Sequence, residues 1–282
     1  MALSDPDIRS MRSRFTLPLL AAVILMTGCL QSPSHPSPTP RILLLGEVHD
    51  NPAGHAARLD WLRAQLTSGW RPAIAMEQFD TDQQPALDAA MRTCTDAACV
   101  VARVSPSPSG WNWTFYTPVI ALALEYRLPL LAANLSRADA SKVVKGGFAA
   151  ALPADIIARY QLDNVPAEVL AAQESEVRDS HCGALPESLV APMAKAQIAR
   201  DVVMAETLRT HADRGVVLIA GNGHVRRDIA VPYWLRQQGL AAQAVGFLES
   251  SGDARVFDAV RRIPTFPRPD PCAGFKAPAR NG

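Results

Sequence analysis

The sequence predicts an α/β protein: a mainly parallel central sheet flanked by helices, with a helical subdomain inserted before the C-terminal strands. Three observations predict it. Short apolar runs with β character recur along the chain, helical stretches separate several of them, and one long interval carries helical spacing alone. Strands alternating with helices are the mark of a parallel sheet, whose neighbouring strands need a crossover between them.

The runs are Ile42 to Leu45, Ala73 to Met76, Leu128 to Ala133, Val216 to Ala220 and Ala241 to Phe247. Helices are expected over 53–67, 114–126, 136–145 and 225–238, with Pro118 and Pro232 near helix starts, where the missing N–H costs nothing. Asp50 or Asn51 reads as an N-cap before Pro52. The interval 149–214 offers no strand, and its segments 153–161, 166–179 and 187–211 place apolar residues at helical spacing. On the last of these Ile198, Val202 and Leu208 mark a buried face. This is the inserted subdomain, expected to act as a lid or partner surface above a crevice.

Ahead of the body, Arg12 and Arg14 precede an apolar stretch, Phe15 to Met26, too short to span a bilayer and suited to a secretory signal. It ends in Met26-Thr27-Gly28-Cys29, which resembles a bacterial lipobox. Residues 1–29 therefore read as a lipoprotein signal peptide with Cys29 as the lipidated residue. Residues 30–40 are a Pro- and Ser-rich tether, and 41–282 form the folded domain. The expected location is the cell envelope, on a membrane through the lipid anchor. Leu30 after Cys29, in place of Asp, favours an outer membrane and its periplasmic side.

The 282 residues are 48% hydrophobic and 20% charged, and 28 Lys+Arg against 27 Asp+Glu leave a formal charge of +1. No basic stripe exists to track a phosphate backbone, so nucleic acid is not an expected partner. Past Cys29 the cysteines are Cys94, Cys99, Cys182 and Cys272, an even number in a compartment that permits disulfides. Cys94 and Cys99 are spaced for a local clip, and a Cys182–Cys272 bridge would then tie the C-terminus to the middle of the chain. Their spacings do not suit a cysteine-ligated zinc.

Two of the apolar runs lead into glycine-led segments that end in histidine, Gly46-Glu47-Val48-His49 and Gly221-Asn222-Gly223-His224. Parallel sheets gather chemistry at strand C-termini. Glu47 and His49, two apart on extended backbone, point to one side, and Glu77 closes the second run at the same edge of the sheet. With His224 they offer carboxylates and imidazoles for a divalent metal or for general acid/base work. Gly221 and Gly223 lack the spacing of a phosphate loop, and no Gly-x-Ser-x-Gly nucleophile elbow occurs.

The segment Trp111-Asn112-Trp113-Thr114-Phe115-Tyr116 concentrates aromatic area beside a helix start. Tyr116 is a candidate ligand for ferric iron, which stabilises a phenolate, and Tyr233 competes for that role. His55, Arg226 and Arg227 follow the two motifs and suit carboxylate recognition.

Taken together, Gly46 to Pro52, Tyr116-x-Pro118, His181-Cys182-Gly183, Ala196-Gln197-x-x-Arg200-Asp201, Gly221 to Arg226 and Asp270-Pro271-Cys272 resemble the ChaN-like family. These are bacterial, iron-regulated, haem-binding lipoproteins grouped with the Tiki/TraB proteins and the erythromycin esterases. The resemblance implies a non-enzymatic, lipid-anchored protein that takes haem as cofactor and serves haem or iron uptake or storage. It further implies a haem-bridged homodimer in which a tyrosine binds each iron and a histidine meets the propionates. Tyr116 would fill the first role, with His55 and Arg226 on the propionates, and an outer-membrane haem receptor is the implied partner. The wider superfamily implies a second possibility, a metal-dependent hydrolase of peptidase or esterase type. In it Glu47, His49, Glu77 and His224 would hold Mn, Co or Zn and activate water.

Overall fold

The computed structural model describes residues 41–106, 110–250 and 252–273. Cys29 and the segments expected to be a signal peptide and a tether, residues 1–40, lie outside them. Among the described residues no helix is long and apolar enough to cross a membrane.

Six strands form one sheet: β1 (Ile42–Leu45), β2 (Ala73–Asp80), β3 (Leu130–Asn134), β4 (Val216–Ile219), β5 (Gln243–Leu248) and β6 (Ala259–Arg262). Their order is β3-β2-β4-β1-β5-β6 and every pairing is parallel. The chain therefore leaves β1 for β2, skips one place, and later fills that place with β4. This order sets the C-terminal ends of β1, β4 and β2 side by side, the arrangement that the two glycine-histidine segments need in order to meet.

Side chains alternate across the sheet into two apolar layers. Leu43, Leu45, Ile74, Met76, Val217 and Ile219 face one layer. It is closed by α1 (Pro52–Thr67), α2 (Gln84–Thr93), α3 (Ala97–Val104) and α4 (Thr117–Glu125). Ile42, Leu44, Ala73, Ala75, Val216 and Leu218 face the other. There α5 (Arg137–Gly146), α6 (Ala154–Arg159), α7 (Ala167–Ser180) and α8 (Glu187–Thr210) follow β3. After β4 come α9 (Asn222–Val225) and α10 (Val231–Gln237).

Local signals explain several boundaries. Asn51 caps α1 by accepting the Gly54 N–H at 3.0 Å, and prolines occupy the first turns of α1, α4 and α10. The expected helix 225–238 is instead two, because Arg226 adopts extended backbone and breaks the run.

The 149–214 interval is helical, as read from the sequence, but its longest member is no lid. Ile198, Val202 and Leu208 of α8 are fully buried against the sheet layer, so α8 is a core helix. The start of α7 joins that layer through Val169, while its end and the first turns of α8 pack around a small separate cluster of Val177, Val190 and Ala194.

Two disulfides are present, Cys94–Cys99 between α2 and α3 and Cys182–Cys272 across a sequence separation of 90. Both are the pairs expected. The second fastens the C-terminal segment to the end of α7.

Candidate functional site

The two motif segments interlock through their glycines. At Gly46 a Cβ would fall 2.1 Å from Asn222 Oδ1, and at Gly221 it would fall 2.8 Å from His49 Nε2. Only a residue without a side chain lets either segment approach the other. The Asn222 side chain completes the joint, donating to Phe247 O at 2.7 Å and accepting from Phe247 N–H at 3.2 Å. The backbone adds Asn222 N–H to Glu47 O at 2.9 Å.

Glu47, buried just past β1, is the centre of the first cluster. Its Oε1 accepts from the Tyr116 hydroxyl at 2.6 Å, lies 2.8 Å from His49 Nδ1 and receives a long bond from Gln78 Nε2 at 3.4 Å. Its Oε2 pairs with the Arg58 guanidinium, and both side chains are 1% exposed. Arg58 also donates to His55 Nδ1 at 2.9 Å, while His55 Nε2 lies 3.0 Å from His49 O. Those partners define His55 as the neutral tautomer protonated on Nε2, in keeping with a pKa that burial lowers. Burial also pulls the Arg58 pKa down to about 10, and the guanidinium stays charged at neutral pH.

His224 organises the second cluster. Its Nδ1 lies 2.6 Å from Asp201 Oδ1, and its Nε2 lies 3.6 Å from Glu77 Oε1. Burial opposes protonation of this imidazole, but the charges of Asp201 and Glu77 outweigh it, and its pKa is raised. Gln173 donates to Asp201 Oδ2 at 3.1 Å, and Gly221 N–H donates to Glu77 Oε2 at 2.7 Å. Asp201, His224 and Gln173 line a cavity of about 170 Å³ beneath α7 and α8.

Glu47, His49, Glu77 and His224 thus converge on one sheet edge, as expected, but as two hydrogen-bonded clusters. They do not fit a divalent metal. Both Glu47 oxygens are taken, one by a cation, and both His224 nitrogens face carboxylates. Among the described residues no three His, Cys, Asp or Glu side chains are grouped to hold a metal ion. The metal reading with Mn, Co or Zn is corrected on that donor chemistry.

Tyr116 is wholly buried, its hydroxyl donates to Glu47 at 2.6 Å, and burial foremost raises its pKa. His55 is 5% exposed and stacked on Phe115 at 4.5 Å. Arg226 remains partly exposed, but Glu176 and Asp228 (2.7 Å) hold its guanidinium. Arg227 pairs with Asp258 at 3.1 Å. His181 bonds Val177 O at 2.8 Å as the cap of α7, a structural role.

Arg58, Gln78 and Gln173 are site residues absent from the sequence reading, and Asp201 enters it only as the end of the Ala196 to Asp201 motif. A signal existed for two of them. Arg58 lies one helical turn past His55, and Asp201 sits in the stripe of Ile198, Val202 and Leu208, so each is a charge on a core-facing surface.

The fold and these clusters define a class: α/β proteins with an all-parallel sheet and a buried acid-imidazole network at the strand ends. The chain belongs to the family described as haem-binding uptake, Tiki superfamily, ChaN, whose model matches residues 38–235. No curated protein matches it. Among solved structures, ChaN of Campylobacter jejuni, described with cofacial haem bound, is 21% identical, with a TM-score of 0.65 over 78% of this chain and 86% of that one. An erythromycin esterase, EreC, carrying H289N, is 12% identical over 74% of this chain and 70% of its own, with a TM-score of 0.41. A Bacillus cereus protein is 11% identical over 75% and 69%, also at 0.41.

Proposed function

We propose that this protein binds ferric haem and, from a lipid anchor at Cys29, stores it or hands it on during iron uptake. Membership of the haem-binding family over residues 38–235 carries the reading. The lipobox-like Met26 to Cys29 and two disulfides, which suit an oxidising compartment, support a place in the cell envelope, facing the periplasm of an outer membrane. A haem-bridged homodimer and an outer-membrane haem receptor complete the proposal.

With Tyr116 enclosed, Tyr233 is the tyrosine that fits the iron. It is partly exposed at the start of α10, just beyond the β4 motif, and the Arg236 guanidinium lies 5.4 Å from its ring centroid. Burial, then the charge of Glu168, raises the Tyr233 pKa, and Arg236 only partly opposes them, so ferric iron itself would have to stabilise the phenolate. Titration with ferric haem should give a saturable Soret band of high-spin tyrosinate type. Tyr233→Phe should abolish that signature and Tyr116→Phe should keep it; the opposite pattern refutes the assignment.

One observation favours a second reading, hydrolysis without a metal. His49 Nε2 and Glu77 Oε2 both lie close over Gly221, 2.8 Å and 3.7 Å from where its Cβ would fall, so an imidazole and a carboxylate share that edge. Glu47 orients His49 through Nδ1, and a half-exposed imidazole so held is a general base for water. Hydrolysis of an activated aryl ester, insensitive to chelators and lost in His49→Ala, would support this; equal rates in the variant would dismiss it.

A further inference from the structure

A cleft of about 430 Å³ opens beside the first cluster, at the C-terminal ends of β2 and β3, and neither reading above uses it. Its volume lies in the range of small-molecule sites, about 300–1,000 Å³. Its lining is chemically divided. Arg137 and Arg200 supply positive charge, Asp80 and the amides of Gln78 and Asn134 supply acceptors, and Trp111 supplies an aromatic wall.

Several of these groups are uncommitted. Arg137, the first residue of α5, accepts from the Ser141 hydroxyl through its carbonyl at 2.9 Å, while its guanidinium has no ion pair or hydrogen bond among the described residues. Arg200 spends Nη1 on Asn134 Oδ1 at 2.7 Å and Leu135 O at 3.1 Å, and its other guanidinium nitrogens have no acceptor there. Gln78 is 4% exposed, yet its Oε1 accepts no hydrogen bond. A buried acceptor left unpaired costs about 1–3 kcal/mol, which a ligand donor would recover. Burial, then Asp82, raises the Asp80 pKa, and the Arg200 charge only partly offsets them, so this carboxylate lies close to the cleft's cation.

We propose that this cleft binds a small hydroxylated carboxylate of the sugar-acid class. The carboxylate would meet Arg137 and Arg200, hydroxyl donors would satisfy Gln78 Oε1 and Asp80, and the ring would lie against Trp111. A simple anion leaves the two acceptors unmet, and a neutral sugar leaves the guanidinium groups unmet. Trp111 also packs edge-on to His49 with centroids 5.1 Å apart, so a bound ligand would lie next to that imidazole.

The test is calorimetric titration of the intact protein with D-glucuronate, D-glucose and acetate, with tryptophan fluorescence read in parallel. Glucuronate should saturate at millimolar or lower concentration, and glucose and acetate should bind about tenfold or more weakly. Arg137→Gln, at an exposed site where the guanidinium has no partners, should weaken glucuronate about tenfold, the size of one charge-assisted hydrogen bond. No saturable binding of glucuronate, equal binding of acetate or glucose, or an unchanged affinity in Arg137→Gln would each overturn the proposal. Haem titration of the same samples is independent, so failure here leaves the haem reading standing and the reverse also holds.

Discussion

Replacing Arg58 by methionine removes one partner of an ion pair in which both side chains are 1% exposed. Methionine keeps much of the aliphatic stem, so the loss is chiefly electrostatic. Glu47 would then be a buried carboxylate left with Tyr116, His49 and Gln78 and no guanidinium, and His55 Nδ1 would lose its donor. Breaking a buried pair on one side costs about 3–5 kcal/mol. For a domain of this size each kcal/mol moves the melting temperature by about 2–4 °C, so the expected fall is roughly 6–20 °C. Urea unfolding followed by circular dichroism, with disulfides intact, measures the free energy. The double variant Glu47→Gln with Arg58→Met removes both charges and should recover most of the loss, because the penalty belongs to the uncompensated carboxylate. A single variant within about 1 kcal/mol of the parent, or a double variant that merely sums two losses, would refute the buried network as described.

Tyr116→Phe should cost about 1.5–3 kcal/mol in the same urea assay, the worth of a hydrogen bond to a charged carboxylate. Gly221→Ala should displace the His49 ring and cost about 1–3 kcal/mol by overpacking, visible as a shifted His49 imidazole resonance. His224 has a folded-state pKa raised above its ordinary 6.5, so its contribution is complete below 6.5 and is lost as pH rises through the raised value. The alkaline fall in urea midpoint should therefore flatten in His224→Gln, and an unchanged profile would contradict the Asp201–His224–Glu77 arrangement. Cys272→Ser should lower stability by about 2–5 kcal/mol by opening a long loop.

The five apolar runs read from the sequence are all strands, because a strand buried on both faces leaves a continuous hydrophobic record. The sixth strand, Ala-Val-Arg-Arg at 259–262, is an exposed edge whose pairing with β5 is made by backbone, so its side chains carry no such record. Helices α2 and α3 leave little periodic record for a related reason: each is short, at 10 and 8 residues, and a bridge between Cys94 and Cys99 ties their junction. At the site, the convergence of Glu47, His49, Glu77 and His224 was legible because strand ends of a parallel sheet share one edge. What each group bonds was not. Tyr116 reads as a free phenol beside a loop, and only the approach of β1 to α4 shows that its oxygen is spent on Glu47. Arg58 and Asp201 needed the fold to reveal a partner 11 and 23 residues away in sequence.

Ferric haem titrated into the chain from residue 30 onward, followed at the Soret band, tests the central claim most directly. Saturation at a fixed stoichiometry, with a tyrosinate signature that disappears in Tyr233→Phe, is the expected result. A linear rise with no end point, like that of haem added to a protein without a site, would contradict it.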